Sequence, residues 1–241
     1  MHSIKLSVLI PVYNEQSTIL EIVERVQRIS ISKEVIIIDD GSTDGTRDLL
    51  QVIEQKYPNV IVIRQTRNLG KGKALRSGFA IAQGEYVIVQ DADLEYDPLD
   101  YYKLIDPLEK KQADVVYGSR LRSTQAHRVL YFWHYIANKI LTFLCNMLTN
   151  LDLTDMETCF KVFRRHLIQS IELQEDRFGF EPEITCKLAR INARIYEVGI
   201  AYHSRTYREG KKIKLRDAFR ALWCILLYSF KPFQVDMKIS E

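Results

Sequence analysis

Asp91, Asp93, Glu95 and Asp97 crowd into the stretch VIVQDADLEYDP, directly behind an apolar run. Carboxylates this close repel one another unless something positive holds them together. Oxygen ligands in small number suit a hard divalent cation, Mg2+ or Mn2+, that completes its shell with substrate phosphates and water. Asp91 and Asp93 stand two apart where the apolar run stops. If the extended backbone continues there, both side chains lie on one side. No Lys or Arg adjoins them in sequence, so both read as metal ligands. Asp97, ahead of Pro98 and a helical stretch, reads as a cap instead.

Three more polar clusters end apolar runs: Pro11-Val12-Tyr13-Asn14-Glu15, Asp39-Asp40-Gly41-Ser42 and Asn68-Leu69-Gly70-Lys71-Gly72. The runs before them, at Leu6–Ile10 (stopped by Pro11), in EVIIIDD and in NVIVIRQ, read as strands, as does EYVIVQDAD. Helical spacing covers Ser17–Ile29, Thr46–Tyr57 (with Ser42, Thr43 and Asp44 as candidate caps) and KGKALRSGFAIA. Strand and helix in alternation imply a parallel, doubly wound sheet, an α/β fold whose ligands bind at the carboxyl ends of its strands. Later, DPLDYYKLIDPLEKK reads as helix, DVVYGSR and RIYEVGIAYHSR as strands, and no repeat or linker divides the chain. GKGKALRSG is not a phosphate loop, because Ala74 follows Lys73 where Ser or Thr is required. Nor does the first strand end in a glycine turn, so a dinucleotide dehydrogenase is excluded.

With 241 residues and 46% hydrophobic content, the chain can bury a sizeable core. A net charge of +3 argues against a dedicated nucleic-acid binder. Cys145, Cys159, Cys186 and Cys224 form no CxxC pair and read as buried thiols in a reducing compartment. With no visible signal peptide, the chain is expected on the cytoplasmic side. Val129–Thr149 and Ala218–Phe230 are apolar but interrupted or short; core helices and helices lying on a membrane surface both remain open. His166 and His203 read as structural, and Phe160 and Phe163 as core. In QEDRFGFEPEI, Asp176 or Glu181 is a candidate base for a hydroxyl acceptor, against packing of the segment.

SVLIPVYNE, IIIDDGSTDGT, RNLGKGKALRSGF, QDADLEYDP and VVYGSR together resemble family 2 glycosyltransferases of the GT-A fold. The narrower resemblance is to dolichol-phosphate mannose synthases and other polyprenyl-phosphate glycosyltransferases. It covers roughly residues 4–215. It implies a Rossmann-like, mostly parallel sheet in one domain (1–215), with a nucleotide-sugar half (1–120), an acceptor half (121–215) and a C-terminal amphipathic helix and tail (216–241). It further implies that Pro11, Val12, Tyr13, Glu15, Gly41 and Lys71 lie at the donor pocket. Asp39, with Asp40, would bind the base. Asp91, Ala92 and Asp93 would hold the diphosphate, with Mg2+ or Mn2+ on Asp91, Asp93 and Glu95. Ser119 and Arg120 would meet an acceptor phosphate, helped by Arg128 and by a basic phosphate-binding loop of Arg205, Arg208, Lys211 and Lys212. Asp93 and Arg120 are the expected catalytic pair, and Asp155 and Thr158 would shape the acceptor wall. The implied reaction inverts C1 of a hexose carried from a nucleotide-sugar to a polyprenyl or dolichyl phosphate. GDP-mannose is the first expected donor, then UDP-glucose or UDP-GlcNAc. Peripheral membrane contact is expected. Transfer to a hydroxyl, or a nucleotide-sugar or lipid binding module without catalysis, are the rivals.

Overall fold

The computed structural model describes residues 4–126, 128–129, 131–206 and 215–234. Strands β1 (Leu6–Val12), β2 (Lys33–Asp39), β3 (Val60–Arg64) and β4 (Tyr86–Val89) are linked by helices α1 (Ile19–Gln27), α2 (Thr46–Lys56) and α3 (Lys71–Ile81). A 3-10 turn, Pro98–Asp100, leads into α4 (Tyr101–Glu109) and β5 (Val115–Ser119). There follow α5 (Phe132–Thr149), β6 (Lys161–Arg164), α6 (Arg165–Ser170), α7 (Phe180–Arg190), β7 (Ile195–Gly199) and α8 (Leu215–Phe230). The strands form one seven-stranded sheet in the order β3-β2-β1-β4-β6-β5-β7. Only β6 runs antiparallel to its neighbours, β4 and β5.

Alternation along the strands divides the core into two layers. Leu6, Val8 and Ile10 of β1 face α1, α2 and α4. Leu9 of β1, with Ile36 and Ile38 of β2, faces α3, α7 and α8. β1 and β2 lie inside the sheet, covered on both faces, so their apolar runs are continuous. At roughly 1.5–3 kcal/mol for each buried aliphatic side chain, these strands contribute much of the fold's stability.

Pro11 does not stop β1, which continues to Val12. The β1–β4 ladder ends at Leu9↔Val89, whereas β1–β2 pairing runs on to Val12↔Asp39. The Leu9 carbonyl accepts from Gln90 on the β4 side, and that of Val12 accepts from Asp40 on the β2 side. Pro11 therefore turns its donorless nitrogen to the side where pairing has already stopped. The N-cap of α2 is Gly45, not Ser42, Thr43 or Asp44, although Asp44 just before it accepts from the Thr46 N–H at 3.1 Å. Asp97 accepts from the Leu99 N–H at 3.0 Å as expected. β6 and α7 carry no strong sequence signal. The tail helix α8 packs on α5 and α7, with Ala221, Cys224, Ile225 and Tyr228 buried.

Candidate active site

β4 ends at Val89, so Asp91 and Asp93 sit in a turn and not on a continuing strand. Buried Gln90 fastens that turn: its side chain donates to the carbonyls of Asp91 and Tyr96 and accepts from the Tyr101 hydroxyl at 2.9 Å. Leu94 takes a left-handed φ of 65°, and the Glu95 N–H donates to Asp93 Oδ1 at 3.1 Å. Both carboxylates are thereby held at the carboxyl edge of the sheet, by a turn in place of strand alternation.

Cations do reach them, from far away in sequence. Lys71 Nζ, at the start of α3, lies 2.6 Å from Asp91 Oδ1 and 3.7 Å from Glu181 Oε1. Arg205, beyond β7, places Nη2 2.9 Å from Asp93 Oδ2 and Nη1 3.3 Å from Glu15 Oε2. Burial alone would lower the Lys71 pKa, but the charge of Asp91, with Cys159 and Glu181, holds it well above the ordinary value. Burial pushes Asp93 up to about 7, reinforced by the Asp91 and Glu95 charges and opposed by Arg205. The carboxylates of Asp91, Asp93, Glu15, Glu95 and Glu181 thus gather around two cations, Lys71 and Arg205, and that excess of oxygen ligands fits a bound divalent ion. Among the described residues no trio of His, Cys, Asp or Glu forms a protein-only metal cage. A cation here would draw its remaining ligands from phosphate and water, as Mg2+ and Mn2+ do.

Glu95 is placed differently from the expectation. Its Oε1 accepts from the Arg205 N–H at 2.7 Å and its Oε2 from the Tyr202 hydroxyl at 2.7 Å. It ties down the chain after β7, leaving Asp91 and Asp93 as the candidate ligands. Val12 and Ala92 are buried in the core, so neither side chain lines the rim. Tyr13 stands at the edge of the rim, 36% exposed. Asp39 is fully buried, accepting from the Ser42 N–H at 2.9 Å and from Arg47 Nε at 2.6 Å. Asp40 accepts from the N–H groups of Leu69 and Gly70, at 2.6 and 2.8 Å, and so fixes the entry to α3. Gly41 has φ +77°, and a Cβ there would sit 2.5 Å from the Arg67 carbonyl carbon, so no other residue fits this close crossing.

The acceptor corner departs most from expectation. Arg120 lays its fork on Asp155, Nε to Oδ2 and Nη2 to Oδ1, both at 2.7 Å, while its main-chain N–H also reaches Oδ2. Asn138 of α5 donates to the same carboxylate at 2.8 Å. A guanidinium committed in this way is a structural lock and not an open phosphate receptor. Ser119 is likewise buried, bonded to Thr154 Oγ1 at 2.6 Å. Arg128, in contrast, lines a cleft of about 400 Å³ with Thr18, Asp93, Leu94, His203, Ser204 and Arg205. Arg208, Lys211 and Lys212 lie outside the described residues. Asp176 pairs with Arg76 near the surface, and Glu181 is buried beside Lys71 and Cys159.

Sequence reasoning missed Arg47 as the partner of Asp39. It also missed the partnership of Arg205 with Glu15 and Asp93, across separations of 190 and 112 residues. No local pattern reports contacts that long.

Residues 7–171 match the family model described as Glycosyl transferase family 2. The chain is 26% identical to dodecaprenyl-phosphate galacturonate synthase of Rhizobium johnstonii, across 95% of this chain and 68% of that protein. It is 31% identical to undecaprenyl-phosphate 4-deoxy-4-formamido-L-arabinose transferase of Proteus mirabilis, across 86% of this chain and 62% of that protein. It therefore spans about two thirds of the length of these curated relatives. In fold it resembles Mycobacterium tuberculosis glucosyl-3-phosphoglycerate synthase solved with Mn2+, UDP and phosphoglyceric acid, with TM-score 0.71 and 20% identity over 95% of this chain and 79% of that one.

Proposed function

The chain belongs to glycosyl transferase family 2, and from that premise we propose that it moves a sugar from a nucleotide-sugar to a polyprenyl phosphate, inverting C1. The observation that carries this reading is the Asp91–Asp93 turn at the carboxyl edge of the sheet, flanked by Lys71 and Arg205. The names of both relatives support the acceptor, since each acts on a polyprenyl phosphate. The Mn2+- and UDP-bound neighbour supports a metal-assisted donor site.

In this mechanism Asp91 and Asp93 would hold Mg2+ or Mn2+, which would supply positive charge to offset that developing on the departing diphosphate. Lys71 Nζ, 2.6 Å from Oδ1, orients Asp91. Residues 1–120 would supply most of the donor site and 121–215 most of the acceptor site, with Arg205 reaching across to Asp93 and Glu15. The acceptor phosphate, with a second pKa of about 6, is already an anion at neutral pH and needs no general base. Arg128, which lines the cleft beside Asp93, would hold it in line behind C1, with Arg205 joining it on release from Asp93 and Glu15. The test offers GDP-mannose, UDP-glucose and UDP-GlcNAc with Mn2+ and a short polyprenyl phosphate. Labelled sugar in the organic phase is the expected result; consumption of donor only with alcohol acceptors would defeat the acceptor assignment.

The same reading places the protein on the cytoplasmic face of a membrane. Among the described residues no helix is long and apolar enough to cross one. Helices α5 and α8 pack together and expose Phe132, Trp133, Phe143, Phe219, Trp223 and Phe230. Both of the chain's tryptophans are in this set, 76% and 55% exposed. Aromatic side chains of this kind favour the lipid–water boundary. Replacing Trp133 and Trp223 together by serine is expected to weaken co-sedimentation with anionic phospholipid vesicles by roughly tenfold or more, from the apolar area withdrawn. Unchanged pelleting would count against membrane contact through this face.

A further inference from the structure

Between Asp155 and Lys161 nearly every polar group is spoken for. Asp155 grips Arg120. The Met156 N–H donates to Thr142 Oγ1, the Thr158 hydroxyl donates to the Gly118 carbonyl, and Lys161 Nζ reaches the carbonyls of Met156 and Thr158. Glu157 is the exception. Its Oε1 is enclosed yet has no hydrogen-bond partner, one of three such side-chain atoms among the described residues. An enclosed carboxyl oxygen without a partner costs stability, so a fold keeps one at a functional site when a ligand completes it.

The neighbours of that carboxyl show where it stands. The bonds from Gly118 N–H to the Phe160 carbonyl and from the Thr158 hydroxyl to the Gly118 carbonyl hold its segment against β5. Glu157 lies within electrostatic reach of Glu181, Lys161, Arg120 and Asp155. Glu181 Oε1 is in turn 3.7 Å from Lys71 Nζ, the ammonium that sits 2.6 Å from Asp91 Oδ1. Glu157 therefore stands one side chain removed from the corner assigned to the diphosphate. In a transferase, the group next to the diphosphate is the sugar itself.

We propose that Glu157 is a sugar-reading residue, whose carboxyl hydrogen-bonds a ring hydroxyl of the sugar being transferred. This rests on the donor assignment made above and adds a specificity contact to it. A carboxyl suits the task because it accepts from hydroxyls through two oxygens and, when protonated, also donates. Burial, reinforced by the Glu181 charge, pushes the group up to about 8, so both forms are accessible near neutrality.

The experiment measures binding of UDP, GDP, UDP-glucose and GDP-mannose by calorimetry with Mn2+, for wild type, Glu157→Ala and Glu157→Gln. Wild type is expected to bind a sugar nucleotide more tightly than the matching bare diphosphate. Glu157→Ala should remove about tenfold or more of affinity for the sugar nucleotide and leave the bare diphosphate unchanged, with Glu157→Gln recovering part of the loss. Both variants should melt at or above the wild-type temperature, since an unpartnered buried group has been replaced. A sugar increment that survives Glu157→Ala overturns the proposal alone, as does a Tm lower by several degrees in both variants. Wild-type protein that binds none of the four ligands overturns the donor assignment and this proposal with it.

Discussion

Replacing Asp93 by alanine is expected to reduce sugar transfer by roughly a hundredfold to a thousandfold while leaving the protein folded. Preorganised charge at a departing oxyanion is worth on the order of 3–4 kcal/mol in comparable sites, and each 1.36 kcal/mol is a factor of ten in rate. Asp93 supplies one of two candidate protein ligands, and Glu95, committed to Tyr202 and the Arg205 main chain, is not placed to replace it. The fold should tolerate the change, because Asp93 is held against its neighbours' repulsion. Burial with the charges of Asp91 and Glu95 pushes it up to about 7. Arg205 keeps Glu15 as a partner when Asp93 is gone. Two measurements check this: transfer of labelled sugar, and Mn2+ binding in the presence of a nucleoside diphosphate. Full activity in Asp93→Ala, or metal binding undiminished, would remove this turn from the chemistry.

The residues that announced themselves in the sequence are those whose role is local. The strands at the start of the chain were legible because they are buried on both faces and their β-branched runs are unbroken. Lys71 and Asp91 were each legible as rim residues, because each ends or begins an element at the carboxyl edge. Their direct contact was not, since it depends on α3 and β4 meeting across β1. The β6 strand was hidden for a related reason. It spans only Lys161–Arg164, is antiparallel within a parallel sheet, and its Lys161 is fully buried although lysine ordinarily marks a surface. Burial lowers the Lys161 pKa, while carbonyl partners and the Tyr117 ring, 4.5 Å away, hold the ammonium inside. A composition pattern cannot show a charge that the fold will satisfy later.

Arg120→Ala is where the geometry most changes the expectation, from a weakened acceptor site to a weakened fold. Arg120 is mostly buried and Asp155 entirely so, and removing one member of such a pair leaves an uncompensated charge at a cost of roughly 3–5 kcal/mol. Asn138 still donates to Asp155 in the variant, which argues for the lower end of that range. For a chain of this length about 3 kcal/mol corresponds to a fall in Tm of roughly 6–12 °C. The pH dependence separates this from other losses. Burial alone would raise the Asp155 pKa, but the Arg120 charge and hydrogen bonds, with that from Asn138, hold it below the usual carboxylate range. A carboxylate with a depressed pKa contributes stability that is present above its unfolded pKa and lost as pH falls through the folded one. Without Arg120 the burial contribution dominates and Asp155 takes up a proton more readily. The stability deficit of Arg120→Ala should therefore be largest near pH 7 and shrink towards pH 4, as protonation relieves the unpaired charge. Asp155→Asn in the Arg120→Ala background should recover part of the lost stability at pH 7. Equal Tm values for wild type and Arg120→Ala at pH 7, with acceptor affinity alone reduced, would return Arg120 to the acceptor site.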